Sequence, residues 1–482
     1  MAHTSPSPHA EELQADREGD HSSPSSGPQR LWLLGALAVA QLMLVLDVTV
    51  ANVALPEIAS SLSMGRDATS GVITIYALML GGFMLLGGRA SDLYGPRRVI
   101  LAGLTTFVVA SLAAALSWDT GSFLVARGVQ GLGAALLSPA ALAAITAGFV
   151  GGARHRALAV WGAVGGAGAS VGVLLGGLLT SGPGWRWIFL INVPVGLLVL
   201  VAVVRLVPRR TAGRPGSLDV PGALTVTAAT GILILFLTRF AQDGAWSTST
   251  GLLLAAAASL YAMFVFHERR TARPLVDPRL LVKPRIATGS IVMLASSGLL
   301  VGLFFLLTFF FQGHLGWTPL RTGLAFLPIA LGTLVGAHVA GHAVGAYGPR
   351  VVGPVAFLVT ATGLGVAGWQ LTSVALLISG VSVAAAGLGA GFVTSTTTAL
   401  GDVDHAHVGA VSGVVNTFHE LGAALGVAAL SGLVATGASG TAEPDVGLGL
   451  IVAGSVAAGL AVLGALVIPG GRPDPGGPRF VH

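Results

Sequence analysis

Residues 88–99 read GRASDLYGPRRV, and residues 341–352 read GHAVGAYGPRVV. Laid over each other at a constant offset of 253, seven of the twelve positions are identical. Each string closes one apolar run and opens the next, with the Gly-Pro chemistry of a sharp turn between them. A segment repeated at this distance points to two halves built alike, each carrying the turn at the same place in its helix order.

The runs themselves set the helix count. A helix needs about 20 apolar residues to cross a bilayer. Runs of that kind lie at 31–55, 70–90, 98–117, 121–145, 157–180, 186–208, 219–239, 249–267, 286–312, 320–343, 350–369, 372–398, 408–436 and 446–468. The two copies of the repeat fall between runs 2 and 3 and between runs 10 and 11. Runs 1–6 therefore correspond to runs 9–14, and runs 7–8 form a central insert. The expected fold class is an all-α membrane protein of fourteen helices. Its expected parts are a polar tail at 1–30, a six-helix half at 31–208, the insert at 209–285, a second half at 286–468 and a tail at 469–482. The first thirty residues hold no apolar stretch, so the first run is expected to serve as an uncleaved anchor rather than a signal peptide.

Composition agrees with burial in lipid. Hydrophobic residues make up 53% of the 482-residue chain and charged residues only 9%. A soluble domain carries about 25% charged residues. The formal charge of +5 does not imply nucleic acid, because the basic residues sit between apolar runs rather than along one stripe. The loops on one side hold 16 Arg and Lys, among them Arg89, Arg97, Arg98, Arg154, Arg156, Arg209, Arg210, Arg214, Arg273 and Arg279. The opposite loops hold 4, so both termini are expected to be cytoplasmic. The chain contains no cysteine, which excludes disulfides and thiolate chemistry. No Walker A string or dinucleotide fingerprint occurs, so neither ATP drive nor a cofactor is expected. His338 and His342 are spaced as a metal pair would be, but no acid stands near to complete a site, and no metal is expected.

Against this apolar background a few polar residues stand out. Asp47 lies inside run 1, where a carboxylate is costly unless paired or protonated. Arg127 lies inside run 4, cannot deprotonate, and needs an acid or carbonyls. Gln130 follows three residues later, on the same helix face. At 1.5 Å per residue, Asp47 sits about 12 Å from the outer end of run 1 and Arg127 about 9 Å from the outer end of run 4. The two are thus expected at one depth. Run 13 carries Asn416, His419 and Glu420; the last is a second intramembrane carboxylate near mid-span. An enzyme would need a compact set of such groups at one depth, and a sensor would need a soluble domain; neither pattern is present.

Several strings resemble the Major Facilitator Superfamily, in its fourteen-helix drug:proton antiporter branch. They are LDVTVANVALPEI at 46–58, GRASDLYGPRRV at 88–99, LVARGVQGLGAALLSP at 124–139, WRWIFLINVPVG at 185–196, GWTPLRTGLAFLP at 316–328 and NTFHELGAALGVA at 416–428. Run 5 adds glycines at 162, 165, 166, 168, 172, 176 and 177. Gly168, Gly172, Gly176 and Gly177 have the spacing of the branch's antiporter motif, with Val173 where that motif has proline. The resemblance implies a monomeric exporter in a bacterial plasma membrane. Its implied partners are a small-molecule substrate, protons and the bilayer. Proton coupling or substrate contact falls to Asp47, Arg127, Gln130, Asn416, His419 and Glu420. Gly88, Asp92, Gly95, Arg97 and Arg98 form a latch loop, with Asp92 expected to pair with Arg97, Arg98 or a helix N-terminus. The glycines of run 5 are expected to pack the halves together, and Trp185 and Trp187 to anchor the outer interface. A dedicated exporter of a metabolite, lipid or siderophore fits the same residues.

Overall fold

The computed structural model describes residues 27–149, 171–207, 218–243, 246–271, 282–369, 373–401, 408–435 and 446–468, with single positions between them. The expected tails, save 27–30, lie outside the described residues. So do Arg154, Arg156, Arg209, Arg210, Arg214, Arg273 and Arg279, and Gly162, Gly165 and Gly166.

The helices follow the apolar runs. They are α1 (Gly27–Ser61), α2 (Arg66–Tyr94), α3 (Pro96–Ala115), α4 (Thr120–Gly148), α5 (described over Val171–Ser181), α6 (Arg186–Leu206) and α7 (Val220–Asp243). Then come α8 (Thr248–Arg270), α9 (Pro284–His314), α10 (Pro319–Tyr347), α11 (Pro349–Trp369), α12 (Val374–Leu400), α13 (Val408–Ala435) and α14 (Val446–Val467). Thirteen are long and apolar enough to cross a membrane, and Val171–Ser181 is a shorter apolar helix. Large apolar side chains such as Val125, Leu198, Leu252 and Leu463 are exposed on the outside of the bundle, as a lipid-facing surface requires.

The repeated string becomes a repeated turn. Gly95 joins α2 to α3 at φ 83°, and Gly348 joins α10 to α11 at φ 79°. Positive φ favours glycine, and the proline that follows each one takes the first helical position, where its missing N–H costs nothing. Packing repeats with the same shift of eight helices. In the first half α2 and α3 pack on α4, and α3 packs on α6; in the second, α10 and α11 pack on α12, and α11 packs on α14. Glycine lets backbones meet at these crossings. A Cβ added at Gly133 on α4 would fall 2.6 Å from the Phe107 nitrogen on α3.

The halves meet where α2 packs on α13 and where α9 and α10 reach α1. α7 lies over the first of these seams, against both α2 and α13, and carries α8 on its far side. At the base of that hairpin, Asp219 Oδ1 accepts the Gly222 N–H at 2.9 Å and lies 2.8 Å from His267 Nε2. At the other seam α9 ends in a π-helical turn, Phe310–His314. Gln312 Nε2 donates across it to the Val53 carbonyl at 2.7 Å, and the Leu320 N–H donates to Ser181 Oγ at 3.2 Å.

Candidate functional site

Four helices bring their polar residues to one buried point. Arg127 on α4 is 1% exposed and Asp47 on α1 is 2% exposed. Arg127 Nη1 lies 2.5 Å from Asp47 Oδ2. The same nitrogen donates to Gln130 Oε1 at 2.6 Å, which fixes the orientation of that amide. Gln130 Nε2 then donates to Asp47 Oδ1 and to Ser111 Oγ on α3, each at 2.7 Å. Asn192 on α6 donates to Asp47 Oδ1 at 3.2 Å and to Ser111 Oγ at 3.4 Å. The carboxylate thus receives a guanidinium on one oxygen and two amides on the other.

Aromatic walls close the site. The Arg127 guanidinium stacks 4.4 Å from the centroid of Tyr76 on α2 and 5.6 Å from Phe189 on α6. Such stacking attracts a cation most strongly where water is excluded. Phe123, Trp185 and Phe189 pack edge to face behind it. Trp185 is therefore a buried member of this wall and not an interface anchor; of the two tryptophans only Trp187 is exposed. The short helical stretch 186–190 turns them in opposite directions.

Ser111 and Tyr76 escaped the sequence reading, because a serine or a tyrosine within an apolar run is common and neither spacing nor charge marks it. Asn192 lies within the WRWIFLINVPVG string at 185–196, where a single amide next to Pro194 signals a local kink rather than a partner for Asp47.

Glu420 lies elsewhere. A Cβ at Gly81 on α2 would meet the Glu420 Cβ at 2.8 Å, which sets Glu420 in the seam between the halves. Glu420 and His419 are half-buried and Asn416 is exposed. The His419 ring sits 5.5 Å from Phe392 on α12. Among the described residues Glu420 makes no hydrogen bond or ion pair. Asn416, His419 and Glu420 are therefore apart from the Asp47 network and do not form a single cluster with it.

The latch loop departs from expectation. Asp92 is exposed, and the charge within its electrostatic reach is Arg89 of its own helix. Arg97 donates instead to the Val204 carbonyl at the end of α6, at 2.7 Å. The Gly95 turn places Arg97 in the first turn of α3, which packs on α6 and so draws the side chain away from Asp92. Arg98 is exposed, and Gly88 faces Pro139 of α4.

The α5 glycines divide their work. Gly168, Gly172 and Gly176 face Val45, Thr49 and Val50 of α1, in the same half. Gly177 alone of the four faces the other half, where an added Cβ would come within 2.7 Å of Leu320. A spacing of four keeps the first three on one stripe, and one further residue turns about 100° onto the next helix. His338 and His342 are exposed on α10 with ring centroids 4.9 Å apart, and no group of three or more metal-binding side chains occurs among the described residues.

Two six-helix units packed face to face, with an ionisable network inside one of them, are the architecture of a polytopic membrane transporter. The sequence profile of the Major Facilitator Superfamily matches residues 37–427, and the chain belongs to that family. It is a multi-pass integral membrane transport protein. The puromycin resistance protein of Streptomyces alboniger is 38% identical over 432 residues, covering 87% of this chain and 84% of that protein. The lincomycin resistance protein of Streptomyces lincolnensis is 37% identical, with 81% and 82% covered. The multidrug resistance protein Stp of Mycobacterium tuberculosis is 32% identical, with 86% and 78% covered. Among solved structures, a bacterial homologue of the human lysosomal transporter Spinster, inward-facing and unoccupied, superposes with a TM-score of 0.63 at 16% identity. It covers 92% of this chain and 98% of that one, and so shares the fold.

Proposed function

We propose that this transporter exports a hydrophobic or amphiphilic drug or antibiotic across a bacterial plasma membrane, as a monomer with both termini inside, in exchange for inward protons. The observation that carries the reading is the Asp47–Arg127 pair, buried within two membrane spans. Ionisable groups at such depth are costly and persist where they act. Protonating Asp47 weakens its hold on Arg127 and changes the balance between two arrangements of the halves. The resistance proteins named above supply the substrate class. The basic loops supply the orientation, and reporter fusions after residues 68, 118 and 443 should read outside.

The test is transport into inverted vesicles under an imposed pH gradient, with puromycin, lincomycin and cationic dyes as probes. Accumulation that collapses with an uncoupler is the expected result; accumulation indifferent to it sinks proton exchange.

Glu420 is the substrate-side group in this reading. It sits half-buried in the seam with no cation of the described residues beside it, so a cationic cargo can take the place of its proton. Glu420→Gln keeps the shape and removes the titration. Resistance to cationic compounds should fall roughly tenfold, equivalent to about 1.4 kcal/mol, while neutral compounds are still exported. Unchanged transport of both kinds across pH would make Glu420 a structural residue.

A further inference from the structure

Each of the two amides on Asp47 Oδ1 must respond when that carboxylate takes up a proton. A protonated carboxyl carries an O–H donor that seeks an acceptor, whereas the ionised group is acceptor-only. Turning the Gln130 amide would give up the short charge-assisted bond that its Oε1 receives from Arg127 at 2.6 Å, whereas turning that of Asn192 gives up only the 3.4 Å bond to Ser111. Asn192 holds the carboxylate through its Nδ2 alone, and the structure gives its side chain no bond to Arg127. Rotation about its last side-chain torsion would present the carbonyl oxygen to the new O–H.

The backbone under Asn192 is suited to follow that rotation. The helical backbone runs on through Ile191, at φ −62° and ψ −28°, but its bonding thins just beyond. Pro194 lacks the N–H that would bond the Leu190 carbonyl, and the next bond, from the Val195 N–H to the Ile191 carbonyl, is long at 3.5 Å. Proline is an ordinary cause of a kink in a helix, and the stretched bond beside it marks where this one can bend.

We propose that Asn192 is the positioning residue that passes the protonation state of Asp47 to the weakly bonded turn of α6 at Ile191–Val195. The inference rests on Asp47 being the proton site. The charged and titratable groups facing Asp47 are Arg127 from α4 and Tyr76 from α2. Among the described residues Asn192 from α6 bonds it directly, Ser111 from α3 is linked to it only through Gln130 and Asn192, and no charged side chain of α9 or α10 pairs with it.

The experiment compares pH profiles of exchange in reconstituted vesicles, normalised to folded protein, for the native chain, Asn192→Leu and Asn192→Ser. Asn192→Leu removes one donor that favours the ionised carboxylate. The midpoint of its profile should move to higher pH by about one unit. Asn192→Ser, which can both donate and accept, should return most of the way. A uniform loss of rate with an unmoved midpoint in Asn192→Leu overturns the proposal. Hydrogen exchange over residues 188–196, expressed relative to the intrinsic amide rate at each pH, provides a readout that does not need transport. In the native chain it should rise as pH falls through the transport midpoint. In Asp47→Asn it should not change with pH. Exchange in the native chain that ignores pH also overturns the proposal. If Asp47→Asn itself retains proton-driven efflux, the failure lies in the proton-site reading and shows separately from the behaviour of Asn192.

Discussion

Asp47→Asn should reduce proton-driven efflux to the level of empty vesicles while the protein still folds. The amide has the size of the carboxylate and cannot titrate near neutral pH. Its oxygen can turn toward Arg127, which also keeps the Gln130 oxygen at 2.6 Å, the Val72 carbonyl at 3.4 Å and the Tyr76 ring. The guanidinium therefore remains solvated by dipoles, and the melting temperature should drop by only a few degrees. What disappears is the two-state element, because Arg127 no longer has a partner whose charge can be switched off. Exchange of substrate for substrate, which needs no net proton movement, should persist. Native rates of proton-driven efflux in this variant would remove Asp47 from the mechanism.

Arg127→Leu is the harsher change. It leaves the Asp47 carboxylate in a site where its side chain has no accessible surface, with two amides as its donors. Breaking a buried pair from one side costs about 3–5 kcal/mol, since the remaining charge stays uncompensated. The variant should express poorly and melt well below the native protein in detergent. Adding Asp47→Asn to it removes the orphaned charge. The double variant should regain part of the lost stability and none of the proton-driven transport. A single Arg127→Leu chain as stable as the native one would mean that the pair is not energetically coupled.

Much of the architecture could be read along the chain, for a physical reason. In lipid each span must satisfy its own backbone, so helices follow from apolar length alone, and the described helical bounds, apart from the start of α5, fall within a few residues of the apolar runs. Depth was equally accessible. A fixed rise per residue put Asp47 and Arg127 in one layer before any packing was known, and the structure brings them to 2.5 Å. Azimuth was not accessible. Whether Ser111 and Asn192 turn toward Asp47 depends on how α3 and α6 rotate about their axes, and that is set by neighbours such as Val108, which a Cβ at Gly196 would strike. Loop partners failed for a related reason. Asp92 and Arg97 are close in sequence, yet the Gly95 turn sends them to different helices. The division of the α5 glycines between α1 and α10 likewise required the position of both neighbours.

The placement of the ion pair in one half has an electrical consequence. While Asp47 is ionised, the Asp47–Arg127 pair is neutral as a unit; once Asp47 is protonated, the unit carries one positive charge. In the proposed exchange, with the cell interior negative, the membrane potential pulls the proton-loaded form inward, at about 2.3 kcal/mol per charge for each 100 mV. Only the half built from α1–α6 feels this pull through the pair, because α9–α14 have no matching pair among their described residues. Cargo charge then decides the power supply. A neutral compound exchanged for one proton moves net charge, and both voltage and the pH gradient drive it. A monovalent cation exchanged for one proton moves none, and only the pH gradient drives it. Collapsing the potential alone therefore slows export of the neutral compound and leaves that of the cation unchanged.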